Sequence, residues 1–336
     1  MNYFKKRART ILKILLLLII LISGWYSLFL LDFSSLRGPT YGVSYASTYA
    51  EYLGLEPKTV YLALLDDLKV KNIRISVFWN QTEPQKDTMN FDELDWLMKE
   101  AAIRDVNVIL AVGRRVPRWP ECHIPAWAQQ QGQEQEDKYL LEYLNKLIRH
   151  GRDYKALRMW QVENEPYLYT FGECPLHHKK LLVREIDLVR QLDSVHPIMI
   201  TDSGEFGSWL RTRNLGDYLG TSIYRVVAQS WSGYLKYGGF IPPAYYRIKT
   251  FLIRKPVNKI IVSELQTEPW TTKELLKTPL SEQLISMNLE QFNKNIDFAR
   301  RTGFSEIYLW GAEWWYYMKI KQNDPSFWEE ARELFK

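Results

Sequence analysis

Cysteine is scarce in this chain, and the motifs that would give it other roles are absent. Cys122 and Cys174 are the only two in 336 residues, so at most one intrachain disulfide can form. They lie in the proline-containing stretches "WPECHIP" and "GECPLHH", and spacing alone leaves their pairing open. No C-x-x-C or H-x-x-x-H spacing accompanies His123, His177 or His178. Nothing therefore points to a metal site, and no cofactor is expected. No G-x-G-x-x-G follows any strand-like run, which argues against a dinucleotide-binding sheet. Basic charge is missing from where a nucleic-acid binder needs it. The net charge is +5, but Lys5, Lys6, Arg7, Arg9 and Lys13 crowd the N-terminus against Asp32 alone. The rest of the chain is close to neutral and has no basic stripe, so nucleic acid is not an expected partner.

Charge is absent altogether from Ile14 to Leu31, a run that begins "ILLLLIILI". Its length meets the lower limit for a membrane-spanning helix. The basic residues before it predict a cytoplasmic N-terminus with the rest of the chain outside. A cleaved signal peptide, giving a secreted protein, is the competing expectation. No small-x-small site closes the run, however: Ile22 and Gly24 are followed by Trp25 and Tyr26. The expected organisation is a basic tail and signal anchor over residues 1–35, with the lipid bilayer as partner, and one domain over 36–336.

That domain alternates short apolar runs with amphipathic ones. "TYGVSYA", "NIRISVF", "NVILAVG", "LRMWQVE", "PIMITD", "YLGTSIY", "KIIVSE" and "EIYLWG" read as eight strands. Several are apolar on consecutive residues, as in strands covered on both faces. Helical patterns lie between most of them. The clearest, "SEQLISMNLEQFNKNIDFARRTG", reads as one helix bracketed by Ser281 and Gly303 as caps. The segment "GEFGSWLRTRNLGD" after the fifth strand has no clear helix. The rhythm predicts an α/β fold, a (β/α)8 TIM barrel, preceded by one transmembrane helix. Such a barrel carries its chemistry at the C-terminal strand ends, where the unusual residues of this chain collect.

Two glutamates stand out there. "QVENEP" closes the fourth strand; alternation and the closing Pro166 select Glu165 to face the mouth and leave Glu163 as a supporting residue. "KIIVSE" closes the seventh with Glu264. Breaking a glycosidic bond needs a proton donor and a second carboxylate across the sugar carbon. Glu165 is the expected acid/base and Glu264 the nucleophile. Glu268, four residues on beside Trp270, is either a substrate-binding residue or a solvated loop charge. The chain has 13 Trp and 21 Tyr, and flat amphipathic rings suit sugars. Trp79, Trp119, Trp127, Trp270, Trp310, Trp314 and Trp315 are candidates; only some are expected to line a cleft, and the rest to pack.

"ENEP" at a fourth-strand end, paired with a glutamate closing the seventh, resembles the clan A glycoside hydrolases. These are retaining TIM-barrel enzymes that include the cellulase and β-mannanase types of family 5. The resemblance covers about Tyr41 to Met318. It implies that Asn164 binds the sugar 2-hydroxyl and that Arg74, in "NIRISVF", keeps the nucleophile ionised. It also implies that Tyr224 hydrogen-bonds the nucleophile and that Trp310, or Trp314 as a second candidate, forms a platform under the sugar. "ELQTEPW" and "GRRVPRWPECH" depart from the family pattern, with His123 as the candidate substitute for a missing third-strand histidine. The expected activity is hydrolysis of O-glycosyl bonds in an oligo- or polysaccharide. The alternatives are a transglycosylase and a non-catalytic carbohydrate-binding protein on a degenerate barrel.

Overall fold

The computed structural model describes residues 2–175, 178–229 and 233–336; His177 lies outside them. The eight apolar runs form eight parallel strands. They are β1 (Thr40–Tyr45), β2 (Asn72–Ser76), β3 (Asn107–Val112), β4 (Leu157–Val162), β5 (Ile198–Asp202), β6 (Tyr218–Ile223), β9 (Ile260–Gln266) and β10 (Glu306–Trp310). They close a barrel in the order β1-β10-β9-β6-β5-β4-β3-β2. A hairpin of β7 (Val226–Gln229) and β8 (Gly233–Lys236) is inserted after β6. One long apolar helix, Asn2–Ser27, precedes the barrel.

Alternation sorts side chains into two layers. Val108, Leu110 and Val112 of β3 face the surrounding helices, while Ile109 faces inward and meets Met159, Met199, Ile261 and Tyr308. Beneath that apolar plug Arg158 pairs with Glu306, which also accepts from Tyr308 Oη at 2.7 Å. Above it Arg74 opens a polar layer. The barrel is thus filled rather than hollow, and its carboxylates sit on a packed floor.

The helices follow the amphipathic patterns. Helix Gln133–Gly151 buries Leu140, Leu144, Leu147 and Ile148 on one face, with Glu134 and Glu136 in its first turn and Arg149 and His150 in its last, as the macrodipole favours. No helix forms between β5 and β6. The expected single helix at 281–303 is instead two, Leu280–Ser286 and Leu289–Arg301. Asn288 interrupts it: its backbone is extended and its side chain accepts from Gln291 N at 2.9 Å, a new N-cap. Gly303 does end the second helix, at φ +73°. A Cβ there would lie 2.4 Å from Phe33 O, so this glycine also admits the segment that joins the N-terminal helix to the barrel.

Candidate active site

Strand β4 stops at Val162, so the alternation invoked for "ENEP" does not extend to it. Glu163 and Glu165 both adopt left-handed backbone, at φ 59° and 41°. Each such non-glycine residue costs about 1–2 kcal/mol, and hydrogen bonds hold the chain in place. Glu163 N donates to Val112 O (2.8 Å), Asn164 N to Arg115 O (2.7 Å) and Glu165 N to Thr201 Oγ1 (2.8 Å). The zigzag sends the two glutamates apart. Glu163 is fully buried and accepts the backbone N–H groups of Arg114 (2.8 Å) and Arg115 (2.9 Å). It reaches them over Gly113, where a Cβ would lie 2.3 Å from Glu163 Oε1. Glu165 turns to the mouth, where its Oε1 accepts from Ser222 Oγ at 2.7 Å.

Glu264 reaches the same mouth by a different device. Strand β9 carries one extra residue against both neighbours: Val262 pairs Thr221 and Glu264 pairs the next residue, Ser222, while β10 shows the same slip. A bulge of this kind resets which face a side chain takes. Here it lets the Ser263 carbonyl and the Glu264 carboxylate both meet Arg74 Nη1, at 3.1 and 3.0 Å. Arg74 also donates to Gln161 Oε1 (2.7 Å) and Asn164 Oδ1 (2.9 Å). Tyr224 Oη donates to the other oxygen, Glu264 Oε2, at 2.9 Å.

The two mouth carboxylates therefore differ electrostatically. Glu264 is held by the buried Arg74 guanidinium and the Tyr224 phenol. Burial, and next the negative charge of Glu264, push Glu165 well above the usual carboxylate range. Glu165 is thus set up to keep its proton beside a carboxylate paired with a cation.

Asn164 is only 2% exposed, and its polar atoms are engaged. Its Oδ1 accepts from Arg74, from Gln161 Nε2 (3.1 Å) and from Thr201 Oγ1 (3.3 Å), and its Nδ2 donates to Glu121 Oε2 at 2.9 Å. Glu121 is a third buried carboxylate that the sequence reading missed. Burial pushes it up to about 7, against the opposing pull of Arg115. It sits in a loop where Arg118 and Glu121 are left-handed. Its neighbour Cys122 is disulfide-bonded to Cys174, with Cα atoms 5.2 Å apart. The only textual signal was a glutamate between a proline and a cysteine.

Arg118 was also missed, and it changes the surroundings of Trp310. Its guanidinium lies between the Trp310 ring (4.0 Å to the centroid) and the Tyr49 ring (3.7 Å), and it pairs with Glu268 and Glu313. One face of Trp310 is thereby covered by a cation. Glu268 is no solvated loop charge: it is buried, with one oxygen on Arg118 and the other, Oε2, without a hydrogen-bond partner.

Trp79, Trp314 and His123 are not brought to the mouth. Trp79 is fully buried, stacked on Tyr143 and donating to Glu83 Oε2. Trp314 is equally buried against Phe327 and donates to Gln283. His123 packs on Phe78, its Nε2 faces Arg118 O at 3.1 Å, and burial lowers it to about 4. Trp270 does reach the mouth, edge-on to Tyr224 at 5.1 Å, and Phe171 and Trp119 continue that wall outward. Among the described residues no three His, Cys, Asp or Glu side chains converge as a metal site.

No family model matches the sequence, and no curated protein matches it. Solved structures do match the fold. A β-galactosidase from the haloarchaeon Halorubrum lacusprofundi superposes with TM-score 0.57 at 13% identity, covering 81% of this chain and 52% of that one. A cold-adapted β-galactosidase from Rahnella sp. R3 gives 0.58 at 14%, covering 90% and 56%. The chain thus spans about half the length of these two proteins. A GH5_18 protein from Streptomyces cattleya, solved with GlcNAc, gives 0.56 at 15%, covering 82% and 71%. What this chain shares with them is the TIM-barrel fold.

Proposed function

We propose that this protein is a retaining glycoside hydrolase, with Glu165 as acid/base and Glu264 as nucleophile. The observation that carries the reading is the asymmetry of the two carboxylates. Glu264 is paired with Arg74 and Tyr224, whereas Glu165 is desolvated and lies in the field of Glu264. In the first step Glu165 gives its proton to the glycosidic oxygen as a Glu264 oxygen attacks the anomeric carbon, and the leaving sugar departs. In the second, Glu165, now ionised, takes a proton from water, whose oxygen displaces Glu264 and regenerates both groups. Asn164, Trp270 and the unpartnered oxygen of Glu268 are the sugar-binding groups in this reading. The substrate is an oligo- or polysaccharide.

In the same reading residues 1–35 form a cytoplasmic basic tail and signal anchor, and 36–336 form the catalytic domain outside the cytoplasm. The apolar stretch Arg9–Leu30 carries no buried residue and has a mean hydropathy of 2.3, which supports a bilayer environment. Labelling with a panel of 2-fluoro sugars, followed by peptide mapping, tests the chemistry. A glycosyl ester on Glu264 is the expected product. A label on Glu268, or a hydrolysis product with inverted anomeric configuration, would overturn the assignment.

A further inference from the structure

The helix Pro243–Ile253 carries a stripe that the barrel does not use. Ala244, Tyr246, Thr250 and Ile253 face inward, whereas Ile248, Leu252 and Phe251 are 39%, 62% and 81% exposed. These three share one outer face by their i, i+3 and i+4 spacing. Phe240, just before the helix, is 60% exposed. Single exposed apolar residues are ordinary on soluble proteins, but a contiguous group on one face marks a contact surface. The helix has no acidic residue, and Arg247 and Arg254 flank the stripe.

The location of the stripe says what covers it. The N-terminal apolar helix ends against this same part of the barrel. Trp25 Nε1 donates to Phe240 O at 2.9 Å, and the turn Leu28–Leu30 packs on helix 243–253. Arg247 lies over the Phe33 ring, 5.1 Å from its centroid. Tryptophan marks the bilayer–water boundary at the end of a spanning helix. A hydrogen bond from Trp25 therefore fixes Phe240 at that boundary, and the stripe continues from it.

We propose that the face formed by Phe240, Ile248, Phe251 and Leu252 rests on the bilayer that the N-terminal helix crosses, its apolar side chains among the upper acyl chains and Arg247 and Arg254 among anionic headgroups. The proposal rests on the anchor reading, and the test separates the two. The full chain is reconstituted into vesicles of phosphatidylcholine and phosphatidylglycerol, with or without brominated acyl chains. An environment-sensitive fluorophore is placed on single substitutions Leu18→Cys, Phe251→Cys or Lys99→Cys. Lys99 is exposed on the helix after β2, diametrically across the barrel from β6.

Bromine is expected to quench the labels at 18 and 251 and to leave the label at 99 unchanged. Adding Ile248→Glu and Leu252→Glu to the Phe251→Cys chain should abolish most of its quenching without altering that at 18. Quenching at 18 with none at 251 overturns the face and leaves the anchor standing. Quenching at 251 with none at 18 removes the anchor and keeps the face. A label at 251 that is shielded from water but insensitive to bromine means that a second copy or another protein covers it, which overturns the proposal. Quenching at 251 that survives the two glutamates overturns it as well, because mere proximity to the anchor then accounts for the signal.

Discussion

Glu163 and Glu165 are two residues apart and chemically identical, yet the fold gives them opposite tasks. Glu163 spends its carboxylate on two backbone N–H groups. Glu163→Gln turns one acceptor into a donor facing a buried amide, which should cost about 1–3 kcal/mol in urea unfolding. Glu165→Ala and Glu264→Ala should each lower kcat by several orders of magnitude, read with an aryl glycoside that proves to be a substrate; Glu264→Ala should also lose stability, because it leaves the buried Arg74 without its anion. Glu264→Gln should lower the pKa of Glu165 by removing the negative charge beside it, which carboxyl carbon-13 NMR would record. If Glu165 is the acid, as proposed, that function should be lost as pH rises through its elevated pKa, and Glu165 should define the alkaline limb of kcat/KM. Glu121 has a thermodynamic signature of its own. Its folded pKa of about 7 lies above its usual 4.5, so the folded state binds more protons between these values. Stability is then full below the lower value and falls as pH rises toward the upper, by about 3 kcal/mol in all. Glu121→Gln, which can still accept from Asn164, should flatten that decline in urea midpoints taken at pH 5 and pH 8.

At the scale of elements, the strands were legible because several are apolar on consecutive residues and all recur in a rhythm with amphipathic runs. The carboxylate positions were legible because Glu165 and Glu264 close such runs. The reason given for choosing Glu165 was wrong in its physics. Strand alternation had already ended at Val162, and two left-handed residues direct the side chains instead. Strict alternation would likewise have put Glu264 on the face opposite Ser263; the extra residue in β9 is a property of the pairing between strands and leaves no mark in composition. Trp79 and Trp314 were misread for a similar reason. An aromatic at a strand end or helix start looks the same whether it faces the mouth or the helix layer. Arg118 and Glu121 belong to a loop, where no period exists to place a side chain. The cysteine pair ties that loop to the one after "ENEP" across a separation of 52 residues. Cys122→Ser with Cys174→Ser should cost about 2–4 kcal/mol. It should also reduce kcat, because Glu121 and Asn164 lie on the two loops it joins. Asn288→Ala should cost about 1 kcal/mol in thermal unfolding, by removing the cap that restarts the helix.

At the scale of the whole molecule, the chain joins a long apolar helix to a barrel with almost nothing between. Leu17→Arg with Leu18→Arg places two charges at the centre of that helix, each costing about 2.5–3.5 kcal/mol in a bilayer. The variant should leave the membrane fraction on alkaline extraction, where the native chain should stay. The nine residues from Leu31 to Pro39 are not a free stalk. Arg301 Nη2 donates to the carbonyls of Phe29 and Leu31, Phe33 N donates to Arg301 O, and Phe33 presses against Gly303. Such a connection has no slack. If the helix crosses a membrane as proposed, these contacts would hold the mouth at one height above the surface rather than let it lean out into the surrounding fluid. Its working space is a thin sheet rather than a volume. Turnover would then follow how densely saccharide is packed at the surface, and a polymer held farther away than the barrel is wide would go uncut however concentrated it was.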